Sequence, residues 1–221
     1  MRIGITGWRG FIGSYLKDKI ENPILFQGNL KQLGDVKAFT KSCDRIYHIA
    51  GKNKGDDGNI LSNNLVSTGN LILALKLQSI NPEIVFVSPK QVEGHRNSEY
   101  GLVKWIEEGI IHRANKWCIF GVPNVYGANG RPFYNSVVAT FAYQLSHGQE
   151  VTIDDPNDTR EFIFVEDLVG RLLKPEFSVY VPIEGEVMSI KEVYEYLTTK
   201  LGEHENLKKC LDYWREHVPH T

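Results

Sequence analysis

The chain is short of the features that would set it apart from ordinary globular proteins. It carries three cysteines, Cys43, Cys118 and Cys210, too widely spaced for a metal-like pair or a disulfide framework. Cys118 falls in an apolar run and reads as a small core residue. No apolar run approaches membrane-spanning length, and no charged-then-apolar leader opens the sequence. A cytoplasmic, reducing compartment without a membrane partner is therefore expected. Neither sign of charge is in excess: a net charge of −2 leaves no electrostatic footprint for nucleic acid or an anionic membrane. Any anion must be held locally. Internal repeats, low-complexity segments and metal-ligand clusters are also absent. The 42% hydrophobic and 24% charged content is that of a globular protein, and 221 residues suffice for one well-buried α/β domain and little more.

What is present begins at residue 1. Met1-Arg-Ile-Gly-Ile-Thr-Gly-Trp-Arg-Gly-Phe-Ile-Gly13 reads as a strand, a turn punctuated by Gly7, Gly10 and Gly13, and a helix opening at Phe11 and Ile12. A glycine-rich turn lets the backbone approach a pyrophosphate, and the helix behind it offers unpaired N–H groups and a positive dipole end. A glycine pattern alone is weak; between a strand and a helix it has the required context. Arg9 lies in the loop, where a cation reaches a ribose 2′-phosphate. The next strand, 23–26, runs into Gln27-Gly-Asn-Leu30 with no acid at its end. A cation present and an acid absent favour NADPH over NADH, against the blander alternative of a solvated Arg9.

Apolar runs and helical patterns alternate through the first two thirds. Strands are expected near Leu25 and at 44–50, 83–88 and 116–121, with helices at 11–20, 33–41, 63–78 and 99–114. Strict alternation implies parallel pairing with helices on both faces, a doubly wound, Rossmann-like sheet of the α/β class. From Gly127 the rhythm changes to a loop at 127–132, a helix at 136–147, strands at 150–153, 160–165 and 178–181, and helices at 166–173, 189–201 and about 205–217. The division is a cofactor-binding core over about 1–126 and a small substrate-binding lobe over about 127–221, within one domain.

Tyr100-Gly-Leu-Val-Lys104 carries the chemistry. Positions four apart share a helix face, so phenol and ammonium point the same way. A tyrosine of pKa ~10 is a poor acid or base near neutrality, and an adjacent cation favours its ionised form. It can then give a proton to a carbonyl as hydride arrives, or take one from a hydroxyl in reverse. His48, flanked by apolar residues, reads as a satisfied core histidine.

Together these motifs resemble the extended short-chain dehydrogenase/reductases, the NAD-dependent epimerase/dehydratase family. The resemblance implies Tyr100 as the catalytic acid and Lys104 as its tuning cation and nicotinamide-ribose anchor. It implies a third catalytic hydroxyl from Val87-Ser-Pro-Lys-Gln-Val-Glu-Gly94, where relatives have Ser-Ser-Ser, two residues and Val-Tyr-Gly. Aligning on Val92 and Gly94 puts Pro89 in the hydroxyl position and Ser88 one residue early; Gln91 or a water is the alternative source. Asn29 and Leu30 resemble the pair beside the adenine, Ile49, Ala50 and Gly51 the strand end lining the nicotinamide, and Asn64 the asparagine that steadies the active-site backbone. Gly121-Val-Pro-Asn-Val-Tyr-Gly127 resembles the segment bordering cofactor and substrate, which brings in Pro123, Asn124 and Val125.

The run Arg131–Phe141, with 123–127, 151–157 and 158–167, is similar to bacterial capsule and O-antigen reductases that make UDP-N-acetyl-L-fucosamine and its relatives. That resemblance implies NADPH-dependent reduction of the C4 ketone of a UDP-2-acetamido-2,6-dideoxy-hexulose, with Asn124, Arg131, Asn135, Ser136 and Arg160 holding the UDP-sugar. Val137, Val138, Phe141, Phe162 and Val165 read as core. Alternatives are a 4-epimerase or dehydratase retaining NAD, and a non-catalytic dinucleotide or nucleotide-sugar binding module. Fuller relatives carry a cupin-type epimerase domain where this chain ends, so either a separate epimerase partners it or the chain is a fragment. An upstream 4,6-dehydratase is the other implied partner. A homodimer through helices 63–78 and 99–114 is implied as well, with Val66, Ile72 and Leu73 facing either the partner or the sheet.

Overall fold

The computed structural model describes residues 1–53, 59–90 and 98–217. In chain order the elements are β1 (Ile3–Thr6), α1 (Phe11–Asp18), β2 (Ile24–Leu25), α2 (Leu33–Thr40), β3 (Arg45–His48), α3 (Asn59–Gln78), β4 (Glu83–Pro89), α4 (Glu99–Ile111) and β5 (Trp117–Val122). There follow β6 (Asn124–Tyr126), α5 (Val137–Ser146), β7 (Thr159–Phe164), α6 (Val165–Leu172), β8 (Val179–Pro182), β9 (Glu186–Ser189), α7 (Ile190–Leu197) and α8 (Glu205–Glu216). The chain forms two compact units, one of Met1–Val122 with Val169–Ile183, the other of Pro123–Leu168 with the residues from Glu184 onward.

The first unit holds a six-stranded parallel sheet in the order β2-β1-β3-β4-β5-β8, the Rossmann-like α/β arrangement expected from the alternation. β2 lies on one side of β1 and β3 on the other, so the chain reverses direction across the sheet between β1 and β3. Ligands of open α/β sheets bind beyond the strand ends at such a switch point. The strand register sorts the side chains. Ile46, Ile84, Phe86 and Ile119 bury one face against Val36 and Phe39 of α2, Leu71, Ile72 and Leu75 of α3 and Ile111 of α4. Ile5, Tyr47, Val85 and Cys118 occupy the row facing the other way and are fully buried. There the Tyr47 hydroxyl donates to the Leu172 carbonyl at 3.2 Å.

The second unit has a three-stranded sheet, β6-β7-β9, with β7 parallel to β6 and antiparallel to β9. Its core joins Tyr126, Phe162, Phe164 and Met188 of the sheet to Val138 and Phe141 of α5, Val193 of α7 and Leu207 and Leu211 of α8. Ser136 caps α5 and Ser189 caps α7, the latter in a reciprocal capping box with Glu192.

The strand expected at 150–153 does not form. Val151 and Ile153 alternate like strand residues because both pack on this core, but among the described residues no strand pairs with the segment, and Gln144 Nε2 donates to the Glu150 carbonyl at 3.1 Å. Conversely β6 and β9, too short for a periodic signal, form because β7 supplies ladder partners. Of the three apolar residues considered for a subunit contact, Ile72 belongs to the core, whereas Val66 and Leu73 are exposed, together with Leu77, Leu102 and Trp105. Among the described residues no helix is long and apolar enough to cross a membrane, and no group of His, Cys, Asp and Glu could hold a metal ion.

Candidate active site

The glycine loop forms at the end of β1 as its spacing requires. Gly7 has φ +71°, and a Cβ there would lie 2.5 Å from the Ala50 nitrogen. A Cβ at Gly13 would lie 2.2 Å from the Gly7 carbonyl oxygen, so the first turn of α1 packs directly on the loop. Gly10, the N-cap of α1, receives no side-chain cap, which leaves N–H groups at Phe11 and Ile12 for an incoming anion. Arg9 reaches the end of β2: its guanidinium lies 4.0 Å from the Trp8 ring and donates to Gln27 Oε1 at 2.9 Å. The Trp8 indole is itself fixed on the Phe26 carbonyl at 2.9 Å. Glycine geometry, bare helix end and cation fit the diphosphate and ribose of a dinucleotide.

Near Asn29 the sequence reading missed a carboxylate. Asp35, from α2, accepts the Asn29 backbone N–H at 2.8 Å. The Asn29 side chain is engaged as an acceptor from the Lys31 N–H, and the Leu30 carbonyl accepts from Asn70. The signal was there, an acid in the first turn of α2, but its reach back to Asn29 depends on the loop between.

On the other side of the switch point the residues after β3 meet α3 and α4. Ala50 passes against Gly7, and a Cβ at Gly51 would lie 3.4 Å from Lys104 Nζ. Asn64 is buried and clamps the Lys52 backbone in both directions, accepting its N–H at 2.9 Å and donating to its carbonyl at 2.8 Å. The structure thus brings Gly7, Ala50, Gly51, Asn64 and Lys104 into one neighbourhood, with Ile49 tied to β1 through its N–H to the Thr6 carbonyl.

Tyr100 and Lys104 follow the Ser98 cap of α4, whose hydroxyl accepts the Gly101 N–H at 3.1 Å. Tyr100 is half-buried. The Lys104 ammonium is buried 4.5 Å above the Phe86 ring and 3.1 Å from Glu107 Oε2. Ser88 lies two residues beyond Phe86 on β4, so its side chain emerges on the same sheet face. Ser88 Oγ is buried and has no hydrogen-bond partner among the described residues. An orphaned buried hydroxyl is costly, and a bound ligand is one way such a group becomes satisfied. Pro89, next in the strand, is turned to the opposite face. Gln91, Val92 and Gly94 lie outside the described residues.

Beneath Lys104 runs a set of buried polar groups that sequence reasoning did not assemble. Thr6 Oγ1 lies 2.8 Å from His48 Nδ1, His48 Nε2 lies 3.0 Å from Thr68 Oγ1, and the Thr68 hydroxyl donates to Glu107 Oε1 at 2.5 Å. His48 is a satisfied core histidine, as expected. Burial, and secondarily the Lys104 charge, lowers its pKa to about 3, so the ring is neutral. The available signal was weak: Asn64 and Thr68 lie four apart, on one face of α3, but the helix carries other polar residues, Asn63, Ser67 and Asn70 among them.

In the second unit Asn124 donates to the Glu161 carbonyl at 3.0 Å and joins β6 to β7. Arg160, exposed on β7, turns its guanidinium onto Asp158 at 2.7 Å. Arg131 stacks 4.5 Å from the Tyr134 ring, Asn135 is exposed, and the Ser136 hydroxyl is used as the α5 cap, accepting the Ala139 N–H at 3.2 Å. Pro123 and Val125 also belong to this unit.

Residues 3–174 match the NAD dependent epimerase/dehydratase family. The chain is 25% identical, over 79% of its own length, to UDP-2-acetamido-2,6-beta-L-arabino-hexul-4-ose reductase of Pseudomonas aeruginosa, and it spans about half (49%) of that relative. Among solved structures, UDP-glucose 4-epimerase of Thermotoga maritima with UDP-glucose superposes with a TM-score of 0.84 at 18% identity, covering 98% of this chain and 99% of that one. RMD of Pseudomonas aeruginosa complexed with NADPH gives 0.79 at 17% identity, covering 98% and 99%.

Proposed function

The chain belongs to the NAD dependent epimerase/dehydratase family, and we propose that it is an NADPH-dependent reductase of the C4 ketone of a UDP-2-acetamido-2,6-dideoxy-hexulose. The observation that carries this reading is Ser88 Oγ, a buried hydroxyl without a partner among the described residues, on the sheet face that carries Phe86 and the Lys104 ammonium. The similarity to a hexul-4-ose reductase supports the substrate class. The Arg9–Gln27 contact at the end of β2 favours NADPH over NADH.

The dinucleotide, when bound, supplies a hydride. Gly7, Gly10 and Gly13 admit its diphosphate to the α1 N-terminus, with Phe11 and Ile12 offering their N–H groups. Ile49, Ala50, Gly51 and Asn64 form the wall beside its nicotinamide half, and Asn29 and Leu30 border the adenine. Lys104 binds the nicotinamide ribose and favours the phenolate of Tyr100. Ser88 donates a hydrogen bond to the C4 carbonyl oxygen and polarises it. Tyr100 passes its phenolic proton to that oxygen as the carbonyl becomes an alcohol, and regains a proton from solvent afterwards. Arg160 and Arg131 grip the UDP diphosphate, Arg160 by exchanging Asp158 for phosphate oxygens. Asn124, Asn135 and Ser136 orient the sugar nucleotide, and Pro123 and Val125 are the proposed cofactor contacts of the second unit.

In this reading a 4,6-dehydratase supplies the ketone, and a cupin-type epimerase is the proposed source of C3 inversion. A homodimer through α3 and α4 would cover Val66, Leu73, Leu77, Leu102 and Trp105. The test of function is NADPH oxidation with the ketone generated in situ by a UDP-N-acetylglucosamine 4,6-dehydratase/5-epimerase. Rapid oxidation is expected. NADPH left unoxidised with every 4-keto UDP-sugar, with and without a cupin epimerase, would overturn the reading.

The second reading, a 4-epimerase retaining NAD, is favoured by the full-length superposition on an epimerase. Tightly co-purifying NAD and conversion of a UDP-hexose without net NADPH consumption would establish it instead.

A further inference from the structure

The groups beneath Lys104 can be ordered by asking which atom holds each hydrogen. Glu107 accepts at Oε1 from the Thr68 hydroxyl. Having given its only proton there, Thr68 Oγ1 must accept from His48 Nε2, 3.0 Å away. His48 is neutral, so Nδ1 is the acceptor and takes the Thr6 hydroxyl proton at 2.8 Å. Thr6 Oγ1 in turn accepts the Ala50 backbone N–H at 3.4 Å. Every donor points the same way, from the wall beside the glycine loop to a carboxylate whose other oxygen lies 3.1 Å from the Lys104 ammonium.

The origin of this chain decides what it does. A backbone amide does not release its proton, so the line has no exit and is not a route for protons. It is a fixed array of dipoles whose donor ends all point towards Glu107. A buried carboxylate would otherwise be costly, and a buried ammonium equally so; each compensates the other. We propose that Glu107 is a positioning residue, which Thr68, His48 and Thr6 hold in place and which fixes the Lys104 ammonium against the dinucleotide side of the site. The inference deepens the proposed function, since it takes Lys104 as the ribose anchor.

Two variants test it, with Glu107→Asp as the conservative control. Glu107→Gln keeps the acceptor for Thr68 and removes the charge beside Lys104. Thr68→Val keeps the ion pair and removes the hydroxyl that holds the carboxylate. Acylation of Lys104 by an N-hydroxysuccinimide ester, followed by peptide mass spectrometry, reads how firmly the amine is held. Labelling of the buried Cys118 thiol reads global opening in the same samples. Tryptophan fluorescence gives the NADPH dissociation constant.

Glu107→Gln is expected to speed Lys104 acylation and weaken NADPH binding about tenfold each, the scale of a lost charge-assisted contact. Cys118 labelling stays at the wild-type rate, Glu107→Asp restores part of both effects, and Thr68→Val gives a smaller increase in acylation. Lys104 acylation unchanged in both variants, or rising only in step with Cys118, overturns the proposal. If Glu107→Gln does not fold, Thr68→Val decides by the same two rates. If the wild type fails to bind NADPH, the dinucleotide reading fails, while the acylation rates still decide what holds Lys104.

Discussion

Gly7 and Ala50 approach so closely that a Cβ on Gly7 would lie 2.5 Å from the Ala50 nitrogen and 2.6 Å from its Cα. The contact joins the ends of β1 and β3 across the switch point, and φ of +71° at Gly7 adds a conformation that L side chains rarely adopt. Gly7→Ala is therefore expected to cost at least about 2 kcal/mol of stability. Urea denaturation measures it, and a cost below about 0.5 kcal/mol, the size of a neutral surface change, would contradict the tight approach.

Ser88→Ala should separate stability from activity. The buried hydroxyl has no partner among the described residues, so its removal leaves stability unchanged or raises it by about 1 kcal/mol. Turnover should fall about 100-fold with NADPH affinity unchanged. Thermal melts and steady-state rates on the same preparation check both halves. A stability loss with full turnover would make Ser88 a purely structural residue.

His48 predicts an acid limb of stability. Its pKa, lowered to about 3 by burial and then by Lys104, lies below the unfolded value near ~6.5. Between the two the unfolded chain binds the extra proton. The contribution is full above the unfolded value and is lost as pH falls towards the folded one, with a slope up to about 1.4 kcal/mol per pH unit. Denaturation curves between those limits should show this slope, reduced in His48→Gln. An identical slope in the variant would assign it to other groups.

Gly121 and Tyr180 form a second close pair. A Cβ at Gly121 would lie 1.9 Å from the Tyr180 hydroxyl oxygen, which donates to the Lys90 carbonyl at 3.1 Å. Gly121→Ala should displace the phenol and cost about 1–2 kcal/mol, and Tyr180→Ala should relieve most of that cost. A double-mutant cycle with no coupling would contradict the contact.

Much of this was legible in the sequence because it is local. The glycine loop needs only its own spacing between a strand and a helix, and the helix that carries Tyr100 and Lys104 needs only its own periodicity. The alternation of elements gave the parallel sheet without knowledge of its neighbours. What was not legible depends on partners distant in the chain. β6 and β9 exist because β7 lies between them, and the strand expected at 150–153 is missing because among the described residues no strand pairs with it. Glu107 reads as one more charge on an amphipathic helix until α3 brings Thr68 against it. Asp35 likewise reaches Asn29 only through the loop that separates them.

The most direct test of the central claim compares wild type with Tyr100→Phe, following NADPH oxidation by the 4-keto UDP-sugar while NADPH affinity is measured in parallel. The wild type should turn over, the variant should lose at least about 100-fold, and affinity should be equal in both. Full turnover in Tyr100→Phe would show that the proton comes from elsewhere and would contradict the account.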